Sequence, residues 1–260
     1  MIPRVLFVAW QCRANRAIYP VARLVVRDDV PRYEFAYVHG VRDALQHGFI
    51  PFAGMRALDR VYLSESLFPL FGNRVMASSR PDFRDYIARL GLEGSPGPAL
   101  LLARSEGRKV TDNLEVFAPP EFDSVAECWI YSAFVRGIRH TPGAEAAVAT
   151  LLPGDVLIIE RDVTNEWDVR AMFLRTGDRI RVGFAPHTLV EDLNRLMDLG
   201  SDLSAEVVLM NAPPAPVHQR LLVRIKAPHV DGFRPLATQR YLPLSADAVP
   251  TPFEALVDPR

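Results

Sequence analysis

The chain has 260 residues, 49% of them hydrophobic and 23% charged, an ordinary composition for a water-soluble globular protein with room for two small domains. Thirty basic and thirty-one acidic residues leave a net charge of -1, which argues against a broad electrostatic grip on duplex nucleic acid. Two distant cysteines, Cys12 and Cys128, exclude a zinc cluster or a disulfide framework and suit a reducing compartment. The apolar runs are strand-sized and the start of the chain lacks the features of a secretion signal, so the expected location is the cytoplasm, with no membrane partner.

In chain order, Val5-Leu6-Phe7-Val8, Val21–Val26 and Tyr33–Val38 are rich in β-branched and aromatic residues, and the third alternates cleanly; all three read as strands. Ser79-Arg80-Pro81-Asp82 reads as a capping box that opens a helix, with Phe83, Tyr86, Ile87 and Leu90 on its buried face and Gly91 as its stop. Ala99-Leu100-Leu101-Leu102-Ala103 reads as a buried strand. Ala118-Pro119-Pro120-Glu121-Phe122-Asp123 reads as a linker, which divides the chain into residues 1–125 and 126–227. From Pro228 onward six prolines break regular structure, and residues 228–260 read as an extended tail on the surface.

The middle part is the most regular. Ile130–Ile138, Asp155–Arg161, Val169–Leu174, Arg179–Phe184, Ala205–Met210 and Arg220–Lys226 read as strands. One helix interrupts them, with Thr188 and Glu191 as a capping box and Leu189, Leu193, Leu196 and Met197 on its buried face. The fold class is therefore α+β: a small OB-like β-barrel with one helix, following a mixed α+β amino-terminal domain.

Chemistry-bearing motifs are scarce. GxxxxGK[ST], GxSxG, HExxH and CxxC are absent, and the six histidines are scattered. No cofactor, metal or catalytic residue is expected. The run from Glu160 to Ala171 stands apart, because Asn165, Trp167 and Asp168 fall on one loop between strands, and Gly137-Ile138-Arg139-His140 ends the preceding strand. If the loops meet at one rim, they offer rings to stack on a base, a guanidinium for a phosphate, and an amide and an acid for hydroxyls or base edges. Equally, Asn165 can bond its own turn, Asp168 can pair with Arg170 or Arg139, and Trp167 can plug the end of the barrel.

Residues 131–226 resemble a HIRAN domain. The resemblance is carried by Gly137-Ile138-Arg139-His140, Leu152-Pro153-Gly154-Asp155-Val156-Leu157, Arg161 to Asp168, Ala171, and Val182-Gly183-Phe184-Ala185-Pro186. It implies a modified OB-like barrel that, in fork-remodelling members, binds the 3′ end of single-stranded DNA, with roles in DNA repair, replication or defence. By that resemblance Arg139 contacts phosphate, His140 and Trp167 flank the terminal base, and Asn165 and Asp168 bond the terminal nucleotide, with Phe184 on the same rim. His140 stands where the DNA-binding members have tyrosine, Phe184 where they have histidine, and Val163 where proline is usual. Residues 1–125 resemble the amino-terminal subdomain of HipA-type toxin kinases through Tyr33–Tyr37, Tyr62–Phe68, Phe71-Gly72-Asn73-Arg74 and Ser79–Phe83. That likeness implies docking to a protein partner without kinase chemistry. The expected function is a non-enzymatic, DNA-end-binding protein. The alternative is an antitoxin-like partner of a kinase-type protein that does not bind DNA.

Overall fold

Strands form where buried and outward side chains alternate, and helices where apolar residues cluster on one face. A computed structural model describes residues 4–30, 32–109, 111–166 and 168–244, and the backbone of 250–252. In chain order the elements are β1 (Val5–Gln11), β2 (Ile18–Val26), β3 (Tyr33–Tyr37), α1 (Val41–Gln46), β4 (Val61–Ser64), α2 (Pro69–Gly72) and α3 (Phe83–Arg89). They continue with α4 (Pro98–Ser105), β5 (Leu114–Phe117), β6 (Glu121–Asp123), β7 (Cys128–Phe134), α5 (Ala144–Thr150), β8 (Val156–Arg161) and β9 (Met172–Arg175). The last are β10 (Arg181–Phe184), α6 (His187–Asp198), β11 (Ser204–Met210), β12 (Leu221–Pro228) and β13 (Pro250–Pro252).

The chain divides into two units. The first comprises residues 1–80, 95–119 and 236–260; the second comprises 81–94 and 120–235. The sequence places a linker at 118–123 and assigns 81–94 to the first part. In the structure 121–123 is a strand, paired with β7, and 81–94 belongs to the second unit. Cys12 and Cys128 are buried free thiols, one in each unit.

In the first unit a six-stranded sheet runs β13-β4-β3-β2-β1-β5. Its core is led by Leu6, Leu24, Phe35, Tyr37, Phe68 and Phe71. The Tyr37 phenol is satisfied inside that core, donating to the Met55 carbonyl at 2.7 Å and accepting from the Phe52 N–H at 2.8 Å. Burial pushes its pKa upward, so it stays a neutral phenol.

Two sequence expectations change here. Ala99–Ala103 is helical, within α4. Extended Gly97 and then Pro98 at the first helical position start the helix, and Ala and Leu are helix formers rather than β-branched residues. The tail is not confined to the surface. The His39 N–H donates to the Leu242 carbonyl at 2.9 Å, the Leu244 N–H donates to the Tyr37 carbonyl at 2.9 Å, and Tyr241, only 7% exposed, meets Phe7 edge-on. Residues 245–249 and 253–260 of that tail lie outside the described residues.

Arg74 fastens this unit. Its side chain is 3% exposed; its Nε donates to the Leu70 carbonyl at 3.0 Å, its Nη1 donates to the Gly107 carbonyl at 2.7 Å, and its fork pairs with Asp112. Arg74→Met strands two carbonyls and is expected to cost about 3 kcal/mol of stability, read from urea unfolding. A loss under about 0.5 kcal/mol would assign this node no structural role.

In the second unit an antiparallel sheet runs β10-β9-β8-β11-β12-β7-β6. Just past β7, Arg136 and Phe184 exchange backbone hydrogen bonds of 2.8 Å in both directions, which joins the chain after β7 to the β10 edge of the same sheet. Leu157, Ile159, Met172, Leu174, Val207, Val223 and Ile225 point inward against α5 and α6. The strands lie close to where alternation places them, with two differences: β7 ends at Phe134, so Ile138 of the expected strand Ile130–Ile138 falls in a 3-10 turn after Gly137, and β9 begins at Met172 rather than Val169, which is 88% exposed.

Two helices pack on this sheet where the sequence reading has one. In α5 the run Ala-Glu-Ala-Ala-Val-Ala buries small side chains, Ala144, Ala147 and Val148, which carry little apolar signal. The two expected capping boxes do not form. α6 follows Pro186 and α3 follows Asp82, neither with a side-chain cap, while Thr188 is buried inside the first turn of α6. Pro186 leaves β10 already extended, so the helix starts one residue before Thr188 and takes its stability from burying Leu189, Leu193 and Leu196.

Candidate functional site

The loop between β8 and β9 is held at its base by the Asp162 N–H, which donates to the Ala171 carbonyl at 2.8 Å. The Asp162 carboxylate, 5% exposed, accepts from the Thr164 hydroxyl at 2.8 Å and lies 3.5 Å from Arg181 Nη1. Within the loop, Asn165 Oδ1 accepts from the Asp168 N–H at 3.0 Å, and Asp168 Oδ1 accepts from the Arg170 N–H at 3.0 Å. These are successive side-chain-to-backbone turns, the geometry short polar side chains favour. They set Asn165 and Asp168 three residues apart on one tight bend.

Two residues from outside that bend complete it. His187 Nε2, at the start of α6, lies 3.2 Å from Asp168 Oδ2 and 3.4 Å from Arg170 Nη2. Asn194 Nδ2 donates to the Arg170 carbonyl at 2.9 Å and to the Val190 carbonyl at 2.8 Å, so α6 also holds the loop's exit. Of the two partners the sequence allows Asp168, the structure selects Arg170, at 3.7 Å, and adds His187.

The second group of expected residues gathers around Phe184. Gly137 adopts φ +69° and packs so closely that a Cβ there would sit 3.1 Å from Phe184 Cδ2. The 3-10 turn Ile138–His140 follows, held by the Thr141 hydroxyl, which donates to the Gly137 carbonyl at 3.0 Å. Ile138 is buried as the anchor, and Arg139 and His140 are exposed. Neither side chain makes a hydrogen bond or ion pair with another described residue, so both present their polar atoms to solvent.

Behind Phe184, burial pushes the Arg136 guanidinium down to about 10, which leaves it charged at neutral pH. Phe184 and His187 lie on one short corner, so the β10–α6 junction touches both groups: the turn through Gly137 and the loop through Asp168. Among the described residues no hydrogen bond or ion pair joins Arg139 or His140 to Asn165 or Asp168. Trp167, expected to stack on a base, lies outside the described residues.

His187 is the contact that sequence reasoning missed. Its signal was its place one residue after Phe184-Ala185-Pro186, where a chain leaving the rim strand turns back over the loop. Among the described residues no three His, Cys, Asp or Glu side chains gather closely enough to hold a metal ion, and no helix is long and apolar enough to cross a membrane.

No family model and no curated protein matches the chain. Solved structures do align with it. A protein from Lactobacillus plantarum shares 22% identity over 39% of this chain and 99% of its own, with a TM-score of 0.33. The HIRAN domain of human HLTF shares 18% identity over 38% of this chain and 74% of its own, with a TM-score of 0.31. A HIRAN domain is thus among the structural neighbours of this protein.

Proposed function

We propose that the second unit is a non-catalytic module that holds the 3′ end of single-stranded DNA in the cytoplasm, and that the first unit, which holds the larger part of residues 1–125, forms a docking domain for a protein partner. The observation that carries this reading is the β10–α6 corner. It packs Gly137, which opens the turn that carries the exposed Arg139 and His140, against Phe184, and through His187 it holds the carboxylate of Asp168 at the same junction. A free guanidinium suits a phosphate, exposed rings suit a base, and a carboxylate suits a terminal hydroxyl. The Arg136–Phe184 bridge supports reading the sheet as a closed OB-like barrel, whose rim is a common place for an unpaired strand.

The test compares two short oligonucleotides that differ only in a free or a phosphorylated 3′ hydroxyl, using fluorescence anisotropy on the full chain. The free end binds more tightly, and Trp167→Ala weakens it by about 1–3 kcal/mol through lost stacking. Equal affinity for the two ends overturns the reading.

A second reading, a protein-interaction component whose barrel takes no DNA, is favoured by the engagement of Asp168 with His187 and Arg170. Co-purification of a stable protein partner with no retention of labelled single strands decides for it.

A further inference from the structure

The outward face of β8–β10 carries a cluster that the rim described above does not use. Register sets Arg181 directly opposite Arg175, and Phe184 directly opposite Phe173, so these four side chains share one face. Glu160 on β8 lies opposite Phe173 on that same face. Two guanidiniums directly across a sheet repel unless something anionic is shared between them.

Glu160 answers Arg175. Its Oε1 accepts from Arg175 Nε at 2.9 Å and from Nη2 at 2.5 Å. That hydrogen bond first, and the charges of Arg175, Arg179 and Arg181 with it, hold the Glu160 carboxyl below the usual carboxylate range. Arg181 is placed differently. Its guanidinium lies over the Phe173 ring, 3.8 Å from the centroid, and its neighbour Asp162 is already bonded within its own loop. Stacking takes one face of the guanidinium, Nη1 also lies 3.5 Å from Asp162 Oδ2, and the side chain stays 43% exposed. Arg179, in the β9–β10 turn, is exposed; its backbone N–H donates to the Thr176 carbonyl at 3.0 Å, and its side chain makes no hydrogen bond or ion pair with another described residue.

We propose that Arg179 and Arg181 form a phosphate-binding track for a single strand of nucleic acid, upstream of the end held at the 162–171 loop. This rests on the end-binding reading. Two contacts make the face continuous with that site: Phe184 shares its outward side with Phe173 and Arg181, and Arg181 reaches Asp162, the residue that anchors the loop. The ligand chemistry is a phosphodiester, because two neighbouring cationic side chains match successive phosphates by charge and read no base. Asp178, exposed in the same turn, keeps the net charge of the patch small, so the track holds a pair of phosphates rather than casting a long-range field.

The experiment measures anisotropy of the full chain with a trimer and a dodecamer of thymidylate, each with a free or a phosphorylated 3′ end. The dodecamer binds about tenfold more tightly than the trimer at low salt, and its salt slope is steeper by roughly 1.4, about 0.7 for each of two phosphates. The double variant Arg179→Gln/Arg181→Gln removes that length gain; Arg179→Gln alone, which spares the contact of Arg181 with Asp162, lowers the gain and leaves the trimer's preference for a free end intact. Arg179→Lys/Arg181→Lys keeps the charge and most of the gain, which a purely structural role for the Arg181–Phe173 stack does not predict.

A length gain that survives in the glutamine variant, or is lost equally in the lysine variant, overturns the track. An end preference without any length gain overturns the track alone, and no binding of either oligonucleotide overturns both readings. A length gain without end preference supports the track and removes end recognition.

Discussion

Gly183→Ala is expected to cost the protein about 3 kcal/mol or more of stability. Gly183 sits in β10 at φ +143°, a conformation that side chains rarely adopt. A Cβ there would lie 2.4 Å from the Arg136 carbonyl oxygen and 2.6 Å from Val135 Cγ1. The nearest atom is backbone, and it is the same oxygen that accepts the Phe184 N–H at 2.8 Å, so it cannot retreat without breaking the bridge that joins β10 to the chain after β7. Strain and collision therefore add.

Gly143→Ala makes the control. Gly143 also has a positive φ, +77°, but nothing lies within 4 Å of its hypothetical Cβ, so only the conformational cost remains, about 1 kcal/mol. Urea unfolding of the two variants measures the difference. Equal losses would mean that the bridge yields to a methyl group. Because Phe184 is the residue after Gly183, the alanine variant also moves a ring of the proposed rim and should weaken oligonucleotide binding alongside stability.

Asp168→Asn is expected to erase the preference for a free 3′ hydroxyl, a loss of about 1.5–3 kcal/mol, or roughly 10- to 150-fold in affinity. The substitution is chosen to spare the loop. Asparagine keeps an oxygen that accepts the Arg170 N–H, as Asp168 Oδ1 does at 3.0 Å, and its backbone N–H still reaches Asn165 Oδ1. What it loses is the charge that makes the bond to a hydroxyl strong. Affinity for the phosphorylated end should hold or improve, since removing the carboxylate removes a repulsion. If the free-end preference survives Asp168→Asn, the carboxylate serves only to latch His187 and Arg170 to the loop, and the terminal hydroxyl is recognised by another group of the rim.

Much of the second unit was legible in the sequence because its strands are short and alternate, a pattern that depends only on which neighbours two residues apart are apolar. The Asn165 turn was legible because short polar side chains bond backbone within three residues, whereas Asp168, expected as an ion-pair partner, also accepts the Arg170 N–H. Elements built from small or uniformly apolar residues were not. In α5 alanines supply the buried face, and in α4 a five-residue Ala–Leu run is too short to tell period 2 from period 3.6. The capping boxes misled because burial of Leu189, Leu193 and Leu196 outweighs a single cap in setting where α6 begins.

The sequence by itself therefore determined local matters: strand positions, the bend that carries Asn165 and Asp168, and the glycines that allow tight turns. Tertiary structure alone decided which distant groups meet. It put His187 on Asp168, joined Arg136 to Phe184, set Arg181 opposite Arg175, and drew Leu236 and Tyr241 of the proline-rich tail into the core of the first unit. Local pattern reports the face on which a residue falls. Register, strand order and the path of the returning chain decide what that face touches, and these follow from the packing of the whole unit rather than from any short window of sequence.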